Sequence, residues 1–128
     1  MAKGHRSQIK KERNQNKDTR PSAKLSYARM SAQKAGFVLD AIRGKDVQTA
    51  LGILAYNPRY ASAVIEKLLK SAIANAENNN GMNPETLYVE ECFANKATTM
   101  KRIRARARGM AYRIEKRMCH ITVVLNER

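Results

Sequence analysis

The stretch MKRIRARARG, Met100 to Gly109, holds five Lys or Arg and no acid, and from Arg102 the arginines fall on every second position. In an extended chain alternate residues point to opposite sides. Arg102, Arg104, Arg106 and Arg108 then form one guanidinium row, with Ile103, Ala105 and Ala107 as a slim opposite side. Left alone, such a row repels itself. Inside a folded nucleic acid it meets phosphates from several strands, and the planar guanidinium fork binds phosphate oxygens in pairs and stacks on bases. The alanines and Gly109 keep the segment thin enough to thread between helices.

Other residue types capable of chemistry lack the company that chemistry needs. His120 lies in CHITVVL and is read as a neutral side chain packed in a strand or beside RNA, with no Ser or Cys in an evident His–Asp partnership. Glu90 and Glu91 are adjacent in a predicted strand, so they should face opposite ways and not act as a carboxylate pair. No glycine motif for cradling phosphate is present. Cys92 and Cys119 are read as reduced thiols in apolar positions, and His5 and Cys119-His120 match no zinc-ligand spacing. We therefore assign no catalytic residue, no metal site and no cofactor.

Composition points to a polyanionic partner. The chain has 128 residues, 43% hydrophobic, enough for one domain with one modest core. Its net charge is +14. A surplus of that size implies nucleic acid first and an acidic membrane surface second. The charge is uneven. Residues 1–30 hold nine Lys/Arg and two acids, residues 31–90 six of each, and residues 91–128 ten and three. A neutral, apolar-rich middle is thus flanked by two basic segments. No apolar run approaches the ~20 residues that span a bilayer, and the first residues fit neither a signal peptide nor a transit helix. The expected location is the cytoplasm.

Residues 1–22 read as a basic tail, disordered alone and ordered on its partner. Residues 23–128 read as a single domain, with an extended arm at about 95–115. Ala23 to Met30 suits a short strand. Ser31 offers a helix cap before Ala35, Val38, Leu39 and Ile42 at helical spacing, and Gly44 can end that helix. Asp46 can cap a second helix, with Val47, Ala50, Leu51 and Leu54 on one face. A third is predicted from Pro58, at a first-turn position, to about Asn78. Its apolar stripe is Ala61, Val64, Ile65, Leu68, Leu69, Ala72, Ile73 and Ala76. After Pro84 the period changes, and Leu87–Phe93 and Cys119–Leu125 read as strands. The fold class is α+β in two layers: a strand, three helices, then a long antiparallel β-hairpin extending from a small sheet.

The lengths make the hairpin an arm. Each side runs roughly 50–55 Å at ~3.3 Å per residue, whereas the long helix spans about 30 Å. The distal part, near Met100 to Tyr112, should project uncovered. Two rival classes fit a basic arm. A DNA-bending protein would lay it in the minor groove behind an apolar wedge, for which only Ile103 is available. An RNA-processing enzyme would need acids near the arginines, and only Glu91 and Glu115 are within reach in sequence.

The chain resembles the family of bacterial large-subunit ribosomal protein L twenty-two. The family's hairpin pattern is opened here by Lys101, continues through Arg106-Ala107 and Gly109, and is closed by His120, Ile121, Val123 and Leu125. The stretches RMSAQKAGFVLDAIRGK (Arg29 to Lys45) and KSAIANAENN (Lys70 to Asn79) also resemble it, and the likeness covers about residues 23–126. Met110, Ala105 (a frequent proline in the family), Lys96-Ala97 and Gly36 depart from the usual pattern. The resemblance implies a non-enzymatic constituent of the large ribosomal subunit that binds large-subunit ribosomal RNA. Its partners would be that RNA, neighbouring ribosomal proteins and the nascent peptide passing the arm tip, with no membrane. The implied RNA-binding set is Arg29, Lys34, Lys101, Arg102, Arg104, Arg106, Arg108, Arg113, Lys116, Arg117 and His120. The implied lining of the peptide exit tunnel is Met100, Lys101, Arg102, Ile103, Arg104, Ala105, Arg106, Ala107, Arg108 and Gly109.

Overall fold

A computed structural model of the chain describes residues 3–15 and 17–128. Among them lie helices α1 (Lys3–Gln15), α2 (Ala32–Ile42), α3 (Val47–Tyr56) and α4 (Tyr60–Asn80). The strands are β1 (Ser22–Ala28), β2 (Leu87–Lys96), β3 (Met100–Ala105), β4 (Ala111–Lys116) and β5 (Cys119–Glu127), with a 3-10 turn at Ala107–Gly109. The class is the mixed α+β one expected. The helix count is not: four are present, because the basic tail carries α1, whose residues 8 and 10–15 are exposed.

The helices start and stop for local reasons. The Ser31 Oγ accepts a hydrogen bond from the Lys34 N–H at 3.3 Å, satisfying one free donor in the first turn of α2. Past Arg43 the chain turns at Gly44, whose φ of 73° suits a residue without Cβ. That turn is sewn to β2: the Gly44 N–H donates to the Val89 carbonyl at 2.8 Å and the Val89 N–H to the Lys45 carbonyl at 2.9 Å. Helix α4 begins one step later than its sequence suggests. Arg59 is its N-cap, so Pro58 precedes the helix rather than occupying the first turn. At the far end Gly81 is left-handed (φ 64°), and its N–H and that of Met82 return to the carbonyls of Glu77 and Ala76.

The small sheet has the order β1-β5-β2, antiparallel throughout. Along β5, Cys119, Ile121, Val123 and Leu125 are each 0% exposed and meet the helical layer. Opposite them lie Leu39 and Ile42 of α2, Val47 and Leu54 of α3, and Ile65 and Leu69 of α4, all in one core cluster. Val64 and Ile73, at the margin of the α4 stripe, are only half-buried. This core is aliphatic.

The hairpin is not one continuous ladder. Strands β2 and β5 pair as far as Lys96 with Cys119, and the Ala97 N–H adds a bond to the Met118 carbonyl at 3.0 Å. Pairing then lapses and resumes as a separate two-stranded sheet, β3 with β4, from Met100↔Lys116 to Ala105↔Ala111. The break falls where the helical layer ends, and every residue from 101 to 113 is exposed. From Lys96 to the turn the arm extends on the order of 30 Å.

Candidate nucleic-acid interface

Residues directly opposite in an antiparallel ladder share a face, so the register sorts the arm's side chains. One face carries Met100, Arg102 and Arg104 with Lys116, Ile114 and Tyr112. The other carries Lys101, Ile103 and Ala105 with Glu115, Arg113 and Ala111. The arginine row of β3 is thus real as far as Arg104, but the opposite side is not the slim apolar one expected. Strand β4 brings Arg113 to it, and β3 itself brings Lys101, so both faces are cationic. Arg106 extends the first face, with its guanidinium carbon 5.3 Å from the centre of the Tyr112 ring.

The row ends at the turn. The Arg106 N–H donates to the Met110 carbonyl at 2.8 Å, and Arg108 and Gly109 take φ of 62° and 69°. A left-handed arginine is strained relative to glycine. Its side chain leaves the alternation of β3. Of the stretch expected at the tip, Met100 and Lys101 lie at the arm's root, paired with Lys116 and Glu115, and only Arg106 to Gly109 form the reversal. The ten residues therefore run from the start of the β3–β4 ribbon to its turn.

Residues 95–115 carry seven Lys/Arg and one acid. Among the described residues, no ion pair engages Lys101, Arg102, Arg104, Arg106, Arg108 or Arg113, while Glu115 pairs with Arg117 at 3.2 Å. These guanidinium groups are exposed and free of ion pairs among the described residues, an arrangement able to bind an external anion.

At the arm's root the fold does what the sequence could not display. The start of α2, the start of α4 and the proximal arm enclose a groove of about 990 Å³. Arg29 and Lys34 meet Arg102, Lys116 and Arg117 there, joined by Arg59 and Tyr60, with Glu115 as the one acid. Arg29 and Lys34 are remote in sequence from the arm, and packing of the helices brings them to it. Arg59 and Tyr60 escaped sequence reading because Asn57-Pro58 reads as a helix boundary; the signal was an arginine–tyrosine pair directly after it.

His120 lies outside that groove. Its Nδ1 accepts a hydrogen bond from the Tyr27 N–H at 3.0 Å, and the two rings meet edge-on with centres 4.6 Å apart. Tyr27 has a φ of 57° beside the irregularity in β1, so the histidine secures an unusual backbone.

Glu90 and Glu91 require a correction. The β2–β5 register shifts between Val89 and Glu91, and this bulge brings both carboxylates to one guanidinium. Arg20 Nη1 lies 2.8 Å from Glu90 and 3.0 Å from Glu91, while its Nη2 lies 2.7 Å from Asp18. Hydrogen bonds from Arg20 hold the Asp18 carboxyl well below its ordinary value of 3.8, at about 2. The Arg20 guanidinium is correspondingly raised by Asp18, Glu90 and Glu91. With the Leu125 N–H on the Pro21 carbonyl at 2.9 Å and Asn80 Nδ2 on the Thr19 carbonyl at 3.0 Å, this clamp fixes the chain leaving α1 to the body.

Cys92 and Cys119 are buried and free. Burial raises both thiols, against a smaller opposing effect of Arg43 at Cys92. The Cys92 Sγ donates to the Leu39 carbonyl at 3.3 Å. No group of three or more His, Cys, Asp or Glu among the described residues is placed to hold a metal ion. Nor is any described helix long and apolar enough to cross a membrane.

Known proteins share this chain's pattern. Residues 23–126 match the family described as Ribosomal protein L22p/L17e. Over 128 residues and the full length of both chains, it is 80% identical to the large ribosomal subunit protein uL22 of Lachnoclostridium phytofermentans. The protein of that name from Lachnospira eligens is 77% identical over the same span. The one from Acetivibrio thermocellus is 56% identical over 104 residues, covering 81% of this chain and 83% of the relative.

Proposed function

The chain belongs to the ribosomal protein L22p/L17e family, and from that premise we propose that its body docks on large-subunit ribosomal RNA while its arm threads between RNA elements, the turn reaching the wall of the nascent-peptide exit tunnel. Family membership makes it a structural, non-enzymatic constituent of the large ribosomal subunit and, like its bacterial relatives, a protein of the cytoplasmic ribosome. The finer reading adds the RNA, the neighbouring ribosomal proteins and the passing nascent peptide as partners.

One observation carries this reading: the arm presents unpaired cations on both faces of a ribbon with no core of its own. A surface that binds one RNA helix needs charge on one side. A ribbon charged on both faces suits insertion, where phosphates approach from either side. The Ala105–Ala111 pair next to the turn keeps the leading end narrow. Ile103 and Met110 are 76% and 56% exposed, apolar contacts for bases or for a passing peptide. Affinity then comes mostly from phosphate neutralisation with release of counterions, helped by guanidinium stacking.

A photo-reactive residue in place of Ala107 tests this in large subunits assembled around a stalled nascent chain. The expected products are cross-links to large-subunit RNA and to the nascent chain. Adducts with water alone, in particles that assemble normally, overturn the reading.

A further inference from the structure

Aromatic side chains usually dominate a protein core. Here, of five tyrosines and two phenylalanines, all but Tyr88 are substantially exposed. Two of them adjoin Arg59: Tyr60 follows it at the start of α4, and the ring of Phe37, on α2, lies beneath its guanidinium. Phe37 is 65% exposed and Tyr60 70%. The Arg59 guanidinium carbon sits 5.3 Å from the centre of the Phe37 ring, and Arg59 and Tyr60 both line the basic groove. Resting on this chain's reading as an RNA-binding protein, we propose that Phe37, Arg59 and Tyr60 form a stacking platform for an unpaired nucleobase, whose flanking phosphates are held by Lys34, Arg102 and Lys116.

The chemistry of the surface selects the ligand. Exposed rings call for an apolar, flat partner, and a guanidinium already parked on one ring offers its other face for a second flat group. The surrounding cations call for negative charge, and the one acid in the groove, Glu115, is engaged by Arg117. A nucleotide unites both demands. A paired duplex hides its base faces, so the ligand is an unpaired or bulged nucleotide. An apolar peptide would leave the cations unsatisfied, and an acidic one would leave the rings uncovered. The volume of about 990 Å³ stands at the upper end of ordinary ligand clefts.

The test uses the full-length chain and a short oligoadenylate carrying one central 2-aminopurine, against the same strand paired with oligouridylate. The expected results are fluorescence quenching on binding and a preference for the single strand. Combined Phe37→Ala and Tyr60→Ala should weaken single-strand binding about tenfold and abolish quenching. The salt dependence should not move, since no charge is removed, and Tyr60→Phe should retain both signals. Unchanged quenching in the double variant, or a wild-type preference for the duplex, overturns the platform. So does a double variant that keeps oligonucleotide binding but loses a protein neighbour from assembled subunits. Binding to purified large-subunit RNA, measured alongside, separates the two levels. Salt-dependent binding with an inert aromatic pair removes only the platform, whereas wild-type binding that ignores salt removes the RNA reading itself.

Discussion

Arg20 holds three carboxylates, and the consequences are measurable. Asp18 is exposed, so the pairing is a weak stabiliser in water, but its titration is distinctive. The carboxyl sits at about 2 instead of 3.8. A depressed carboxyl contributes stability above its unfolded value and loses it as pH falls through the folded one. The clamp should therefore be complete near pH 5 and open between about 4 and 2. A carboxyl-resolved NMR titration should show the Asp18 midpoint near 2 in the native chain and back in the ordinary range in Arg20→Ala. An unmoved midpoint would mean that Arg20 is not what holds it. The buried thiols give a second forecast at this scale. Cys92 and Cys119 are 2% and 0% exposed, and burial raises both. A thiol reagent should label neither in the native state, and the labelling rate should follow global unfolding as urea is raised.

Among the elements, what reads from sequence depends on whether the signal is local. The stripe of α4 and the Ser31 cap depend on residues three or four apart in the chain and appear where expected, with Val64 and Ile73 at the stripe's margin. Gly44 likewise adopts the left-handed turn that its position suggests, and Gly81 closes α4 in the same conformation. Helix α1 gives no apolar periodicity to detect, since it has little beyond Ile9 to place on a core face. The lapse between the two sheets is equally silent, because the residues around it keep strand-like character while the helical layer ends there. The bulge that turns Glu90 and Glu91 together depends on a register set across the sheet. The basic groove follows the same logic: the arm's arginines announce themselves, whereas Arg59 joins them only once α2 and α4 pack. Because α4 anchors that packing, Leu69→Ala, at a site 0% exposed, should cost about 2–5 kcal/mol in urea denaturation. A cost near zero would show that the α4 stripe is not the core's foundation.

At the level of the whole molecule, the apolar core and the arm's cations occupy separate parts of the chain. The core cluster draws on β1, the three helices that follow it, β2 and β5, and takes no residue from 95–118. Charge, by contrast, concentrates where the core is absent. A variant with residues 101–115 replaced by a short Gly-Ser link should therefore keep its Tm within a few degrees. Loss of cooperative melting would mean that the arm supports the body. The same variant removes six Lys/Arg and one acid. Its affinity for large-subunit RNA should fall, and the slope of log affinity against log salt should become shallower by roughly 0.7–0.9 for each phosphate that the arm no longer neutralises. A body that melts unchanged and binds with the native salt slope would leave the arm without an electrostatic role. A shallower slope at unchanged Tm would establish that the cations serve the partner and not the fold.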